Sequence, residues 1–187
     1  MGELTDVSTR LDDIQNYQAN LEGQGSKPTW AVIQAFVDQD YWTSIPSAAE
    51  VENMMMLAVN HNAKGLSYWL YPSTADINLG SGQLGKVFQQ EPGIDFLFGT
   101  NAIKGLAVAG EALIDASAWI LGKKMMVGVA SGQHVNSSAV VSITLPASAS
   151  SVDQVLYGDS GWSVTGNTLS KAGIKGLEVG IVVLNLS

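Results

Sequence analysis

Thr29-Trp30-Ala31-Val32-Ile33-Gln34-Ala35-Phe36-Val37 is a nearly continuous apolar run with aromatic and β-branched members. A strand that buries both faces in a parallel sheet reads this way. The segment after it carries Pro46-Ser47-Ala48-Ala49-Glu50: a proline, an N-cap serine and a glutamate three positions on, the form of a capping box. Val51, Met54, Met55 and Ala58 then supply the i, i+3, i+4, i+7 face of a helix, and Asn62 to Gly65 supplies the turn that ends it. A second strand follows at Leu66-Ser67-Tyr68-Trp69-Leu70-Tyr71 and stops at Pro72. Strand, helix and strand joined by short links predict a parallel pair with a right-handed crossover.

Upstream, Leu4, Val7, Leu11, Ile14, Gln18 and Leu21 alternate at steps of three and four, which predicts an amphipathic helix over 5–21, with a turn-rich stretch at 22–28. Downstream, Ile103, Leu106, Ala107, Ala109 and Leu113 predict another helix over 102–114, against which Gly105 and Gly110 count. Gly80-Ser81-Gly82-Gln83-Leu84-Gly85-Lys86 looks superficially like a phosphate loop, but Val87 stands where Ser or Thr is needed, so a flexible loop is expected. Beyond Ala116 the pattern changes to short strands at 125–130, 139–145, 153–157, 162–164 and 177–186, with 146–151 as a turn between two of them. The expected fold class is α/β plus all-β, with an α/β part over 1–115 and a small antiparallel β-sandwich over 116–187.

Composition narrows the function. With 187 residues, 46% of them hydrophobic, the chain has material for a core. Seventeen acids against nine bases give a net charge of -8, and the only paired bases are Lys123-Lys124, which argues against nucleic acid or anionic membrane as partners. No apolar run reaches the roughly 18 residues that span a bilayer, and the polar, acidic start does not read as a signal peptide. Cysteine is absent, which excludes disulfides and thiolate chemistry, and two histidines leave little for a metal site; no metal or cofactor is expected. Asn136-Ser137-Ser138 and Asn185-Leu186-Ser187 are glycosylation sequons that matter for a secreted parent.

The order Trp30-Ala31-Val32-Ile33-Gln34-Ala35-Phe36, Ile45-Pro46-Ser47-Ala48-Ala49-Glu50-Val51 and Asn60-His61-Asn62-Ala63-Lys64-Gly65-Leu66-Ser67-Tyr68-Trp69 resembles the last two βα units of a (β/α)8-barrel glycoside hydrolase. Such enzymes commonly close the barrel on an alanine, lysine, glycine, apolar, tyrosine, tryptophan strand and continue into a C-terminal β-sandwich. The resemblance implies a partial (β/α)8 barrel of about two βα units over 1–115, followed by the sandwich, with carbohydrate as partner. It also implies that the remaining barrel units, or another protein chain, complete the sheet. Glycoside hydrolysis generally uses two carboxyl groups, about 5 to 5.5 Å apart in retaining enzymes and roughly 6.5 to 9.5 Å apart in inverting ones. One would come from a strand outside this chain, and the position of the other reads Gln34-Ala35-Phe36 without a glutamate. The expectation is a fragment that is inactive alone.

The candidate acids are Asp38 and Asp40, just past the first strand's C-terminal end; they read as catalytic or sugar-binding groups, or as ordinary loop acids. By alternation Ser67, Trp69 and Tyr71 share a face, as do Trp30, Val32, Gln34 and Phe36. Facing a barrel interior, Trp69 would stack on a sugar and Gln34 would bond hydroxyls; otherwise Trp69 is a core residue. Tyr41 and Trp42 read as an outer sugar subsite or a hydrophobic plug. His61 reads as a helix-end contact or an exposed residue, and Met54-Met55-Met56 as core. In a competing class, the chain is a noncatalytic carbohydrate-binding or protein-interaction module that uses Trp119, Tyr157 and Trp162.

Overall fold

A computed structural model describes residues 3–21, 27–39, 42–70 and 73–187 of the chain. The first half contains α1 (Asp6–Ala19), β1 (Trp30–Gln34), α2 (Ala48–Asn60), β2 (Gly65–Trp69), α3 (Ala75–Gln89) and α4 (Gly93–Gly99). β1 and β2 pair in parallel, with Trp30 opposite Gly65 and Gln34 opposite Trp69. The predicted capping box forms: the Ser47 hydroxyl accepts from the Glu50 N–H, and the Glu50 carboxylate accepts from the Ser47 N–H at 2.7 Å. Ala31, Ile33 and Ala35 are buried toward α2, whereas Trp30 and Val32 point to solvent. Both faces of β1 are apolar in sequence, and one of them is covered.

Two helices, α3 and α4, lie where the sequence pattern predicts none. The stretch 80–86 lies inside α3 rather than in a flexible loop. Thr74 caps that helix by accepting from the Ile77 N–H, and Ile77, Ser81, Leu84 and Phe88 form its buried stripe at helical spacing. That stripe outweighs the low helix propensity of the glycines, one of which lets α2 approach: a Cβ at Gly80 would run into the Glu52 carboxylate. Short α4 ends where Lys64 donates to the Leu97 carbonyl at 2.7 Å and the Thr100 carbonyl at 3.2 Å.

The expected helix over 102–114 does not form. Gly105, Gly110 and Leu113 have φ of 65°, 99° and 57°, left-handed values that a right-handed helix cannot hold. The segment is extended instead and carries β3 (Val108–Ala109). The strands that follow are β4 (Ile114–Leu121), β5 (Lys124–Ser131), β6 (Ser137–Tyr157), β7 (Trp162–Ile174) and β8 (Val179–Leu186). β4 is an addition to the expected strands, and β6 merges two of them through the expected turn at 146–151. β6 changes register between Thr144 and Ala149, around Pro146, which has no N–H for a ladder. Its first part pairs with β7 and its second with β8.

The six strands form one sheet in the order β3-β6-β8-β5-β4, with β7 alongside β6. The segment before β4 nearly closes it: the Ile103 and Leu106 N–H groups donate to Ala118 and Ala116 at 2.8 and 2.9 Å, and β3 pairs with β6. The protein is therefore mixed α/β, with a mostly antiparallel, nearly closed sheet. Val127, Val141, Ile143, Leu169, Val182 and Leu184 fill its interior. Trp119, Met126, Ile181 and Val183 project from the other face into a second core shared with α2. Gly128 permits this contact, since a Cβ there would collide with Met56 Cε and sit 2.6 Å from Asn60 Oδ1. Asn53 fixes it by donating to the Ser131 carbonyl at 2.9 Å. Among the described residues no helix is long and apolar enough to cross a membrane.

Candidate functional site

The carboxyl ends of the parallel strands bring several predicted residues together. Gln34 and Trp69 are register partners on the solvent-facing side of the pair. Trp69 is 54% exposed, so it is not a core tryptophan, and its indole N–H donates to Gln39 Oε1 at 3.1 Å. The polar edge of the ring is held, and the residue as a whole remains exposed. Gln34 is half-buried, and its amide donates to the Phe36 and Ser44 carbonyls, both at 3.2 Å; among the described residues no hydrogen bond reaches its oxygen.

The loop after β1 folds back over this end. The Asp38 N–H donates to the Trp42 carbonyl at 2.9 Å, and the Trp42 N–H to the Gln39 carbonyl at 3.0 Å. Asp38 is exposed and adopts a φ of 61°, a left-handed conformation that acidic and amide residues enter more readily than others. Trp42 meets Phe36 edge to face at 6.1 Å between ring centres, so it packs against the loop's own aromatic. Asp40, Tyr41 and Tyr71 lie outside the described residues. Gln39 is the residue sequence reading missed; its polar character in a loop gave no signal until the fold placed it beside Trp69.

Trp30 belongs to the same open face. It is 65% exposed and lies across Gly65, where a Cβ would collide with the indole. A cleft of about 690 Å³ that Trp30 also lines opens between Leu66 and Tyr68 of β2 and the α3 residues Ile77 and Phe88. It includes none of Gln34, Asp38, Trp42 or Trp69.

The aromatics of the competing module reading are not available as platforms. Trp119 and Trp162 are buried, and the half-buried Tyr157 donates its hydroxyl to Glu52 at 2.8 Å. Burial and the Glu52 carboxylate push the Tyr157 phenol well above its usual range. His61 is neither exposed nor only a helix-end contact. It is buried, with Nδ1 2.9 Å from Asp12 and Nε2 2.9 Å from Asp115. Burial opposes its charge, but the hydrogen bonds and charges of Asp115 and Asp12 outweigh burial and raise its pKa above the ordinary histidine value.

No protein-family model and no curated protein matches the sequence. Among solved structures, the fold is similar to an α-amylase from Geobacillus thermoleovorans complexed with acarbose, at 9% identity and a TM-score of 0.62, over 95% of this chain and 43% of the amylase. An α-amylase from Anoxybacillus aligns at 7% identity and a TM-score of 0.62, over 98% of this chain and 46% of its own. CelM2, a bifunctional glucanase-xylanase from a metagenome library, aligns at 15% identity and a TM-score of 0.59, over 96% of this chain and 34% of its own. The chain thus shares its fold with parts of glycoside hydrolases and spans between a third and a half of their lengths.

Proposed function

We propose that this chain is the C-terminal portion of a glycoside hydrolase-related protein, contributing sugar contacts at the carboxyl end of its parallel strands and inactive in hydrolysis by itself. In this reading, residues 1–115 are two βα units of a (β/α)8 barrel and residues 116–187 the accessory β domain that follows them, its single nearly closed sheet standing in place of the expected sandwich, with β3 lent by the first part to the second. The observation that carries the reading is the pairing of Gln34 with a half-exposed Trp69 whose N–H is already satisfied. An indole held by its edge, with an amide oxygen beside it, suits the apolar face and hydroxyl rim of a sugar ring. The likeness to carbohydrate-active folds supports the same ligand class.

Asp38, and Asp40 beyond the described residues, are the carboxylates this chain could place near such a sugar, and Tyr41, Trp42 and Tyr71 would extend the contact. Both outer edges of the two-stranded sheet are unpaired among the described residues. The partners in this reading are a carbohydrate and the barrel units, or another chain, that pair with those edges. Titration calorimetry against maltooligosaccharides, xylooligosaccharides and β-glucan oligosaccharides tests the reading. Saturable binding to one of them should fall at least roughly tenfold in Trp69→Ala, the factor expected when a stacking ring is removed. Binding that Trp69→Ala leaves unchanged, or binding to none of the panel, overturns the sugar contacts. Hydrolysis of an aryl glycoside by the chain alone, abolished in Asp38→Asn, overturns the inactivity.

A further inference from the structure

Three elements converge on a single imidazole, and the function proposed above makes no use of it. His61 closes α2, and its ring nitrogens point to two different carboxylates: Nδ1 to Asp12 of α1 and Nε2 to Asp115 of β4, each at 2.9 Å. Neutral imidazole has one N–H and one lone pair, so only the doubly protonated ring can donate to both acids. The surroundings are arranged for that cation. The Asn60 amide donates to the other oxygen of Asp115 at 2.6 Å, and Lys104 reaches the other oxygen of Asp12 at 2.6 Å. Gln15 of α1 donates to the His61 carbonyl at 2.6 Å, a bond that does not titrate. The charged groups facing the ring among the described residues are therefore Asp12 and Asp115, with Lys104 behind Asp12.

Besides Asp12, the described residues hold α1 through the buried Leu11 and Ser8, the partly buried Val7 and the bonds of Gln15 to the His61 carbonyl and to Lys104, while Ile14 and Tyr17 are exposed. Losing the ring's second proton would turn one carboxylate from an acceptor facing a donor into an anion facing a lone pair. We propose that the Asp12–His61–Asp115 cluster is a proton-operated clamp that docks α1 on the α2 and β4 core while the imidazole is doubly protonated and releases it as the pH rises. Because the folded-state pKa of His61 is raised, the clamp's contribution is complete below the ordinary histidine value and is lost as the pH passes the raised one.

Two measurements on the full chain test the clamp. The ring signals of His61, told apart from His134 with the variant His61→Gln, give its titration by NMR. Hydrogen exchange followed by mass spectrometry, corrected for intrinsic rates, gives the protection of α1 at each pH. Protection of α1 should fall roughly tenfold in step with the His61 titration, the factor of one partly exposed charge-assisted hydrogen bond, while β5 and β8 stay protected. In His61→Gln the step should vanish, with α1 loose at every pH. Should that variant fail to fold, Asp12→Asn provides the second arm: its step should be smaller and lie at lower pH. The clamp is overturned if α1 protection stays flat across the titration, if the step survives in His61→Gln or is unmoved in Asp12→Asn, or if His61 titrates at or below about 6.5.

Discussion

β1 and β2 on one side and β5 and β8 on the other are all written largely in apolar residues, yet they meet opposite surroundings. β5 is buried from Met125 to Ser131, because the sheet interior covers one face and α2 the other. β8 is buried likewise over most of its length. β1 has the same kind of sequence, but Trp30 and Val32 are both 65% exposed, since α2 covers only the face of Ala31 and Ile33. A helix has a finite circumference. α2 divides its own between β1 and the outer face of β4, β5 and β8, and no helix or strand among the described residues covers the far side of the parallel pair. An apolar run therefore states that two faces are fit for burial, while the neighbours decide how many are buried.

The largest test of this contrast sets one tryptophan against another. Trp119→Ala removes a ring that is 1% exposed in the shared core and should lower the unfolding free energy by about 3–5 kcal/mol in urea denaturation. Trp30→Ala, on the open face, should cost under about 1 kcal/mol. Similar losses at the two sites would erase the distinction. A smaller effect sharpens it at the α2 contact: Gly128→Ala must displace Met56 or Asn60 and should cost about 1–3 kcal/mol. The smallest expected change has the opposite sign. A methyl group at Gly82, exposed on α3, would meet nothing within 4 Å, so Gly82→Ala should raise stability by about 0.5–1 kcal/mol through helix propensity alone. A thermal melt that falls for Gly82→Ala would show that α3 is not held as a helix there.

Legibility in the sequence followed the range of the interactions. α1, β1, α2 and β2 were readable because a stripe, a capping box and turn residues act within a few positions of one another, as Ser47 and Glu50 do. The glycines of α3 hid a sound stripe from Ile77 to Phe88, and the apolar positions of 102–114 imitated a helix that positive φ at Gly105, Gly110 and Leu113 forbids. The site divided in the same way. The alternation that puts Gln34 and Trp69 on one face was visible, whereas the hydrogen bond from Trp69 to Gln39 depends on a loop folding back over a strand end.

By itself the sequence determined the crossover helix with its parallel strands, the prevalence of strands in the second half of the chain, and the acidic, cysteine-free character that limits the chemistry. These depend on periodicity, capping and composition, which need no knowledge of distant neighbours. Only the tertiary structure decided that residues 103–109 bridge both edges of the sheet, that Trp119 and Trp162 are core while Trp69 is open, and that His61 lies between two acids. Asp12 and Asp115 stand 49 and 54 positions from that histidine, and no local rule couples residues so far apart until packing brings them into contact.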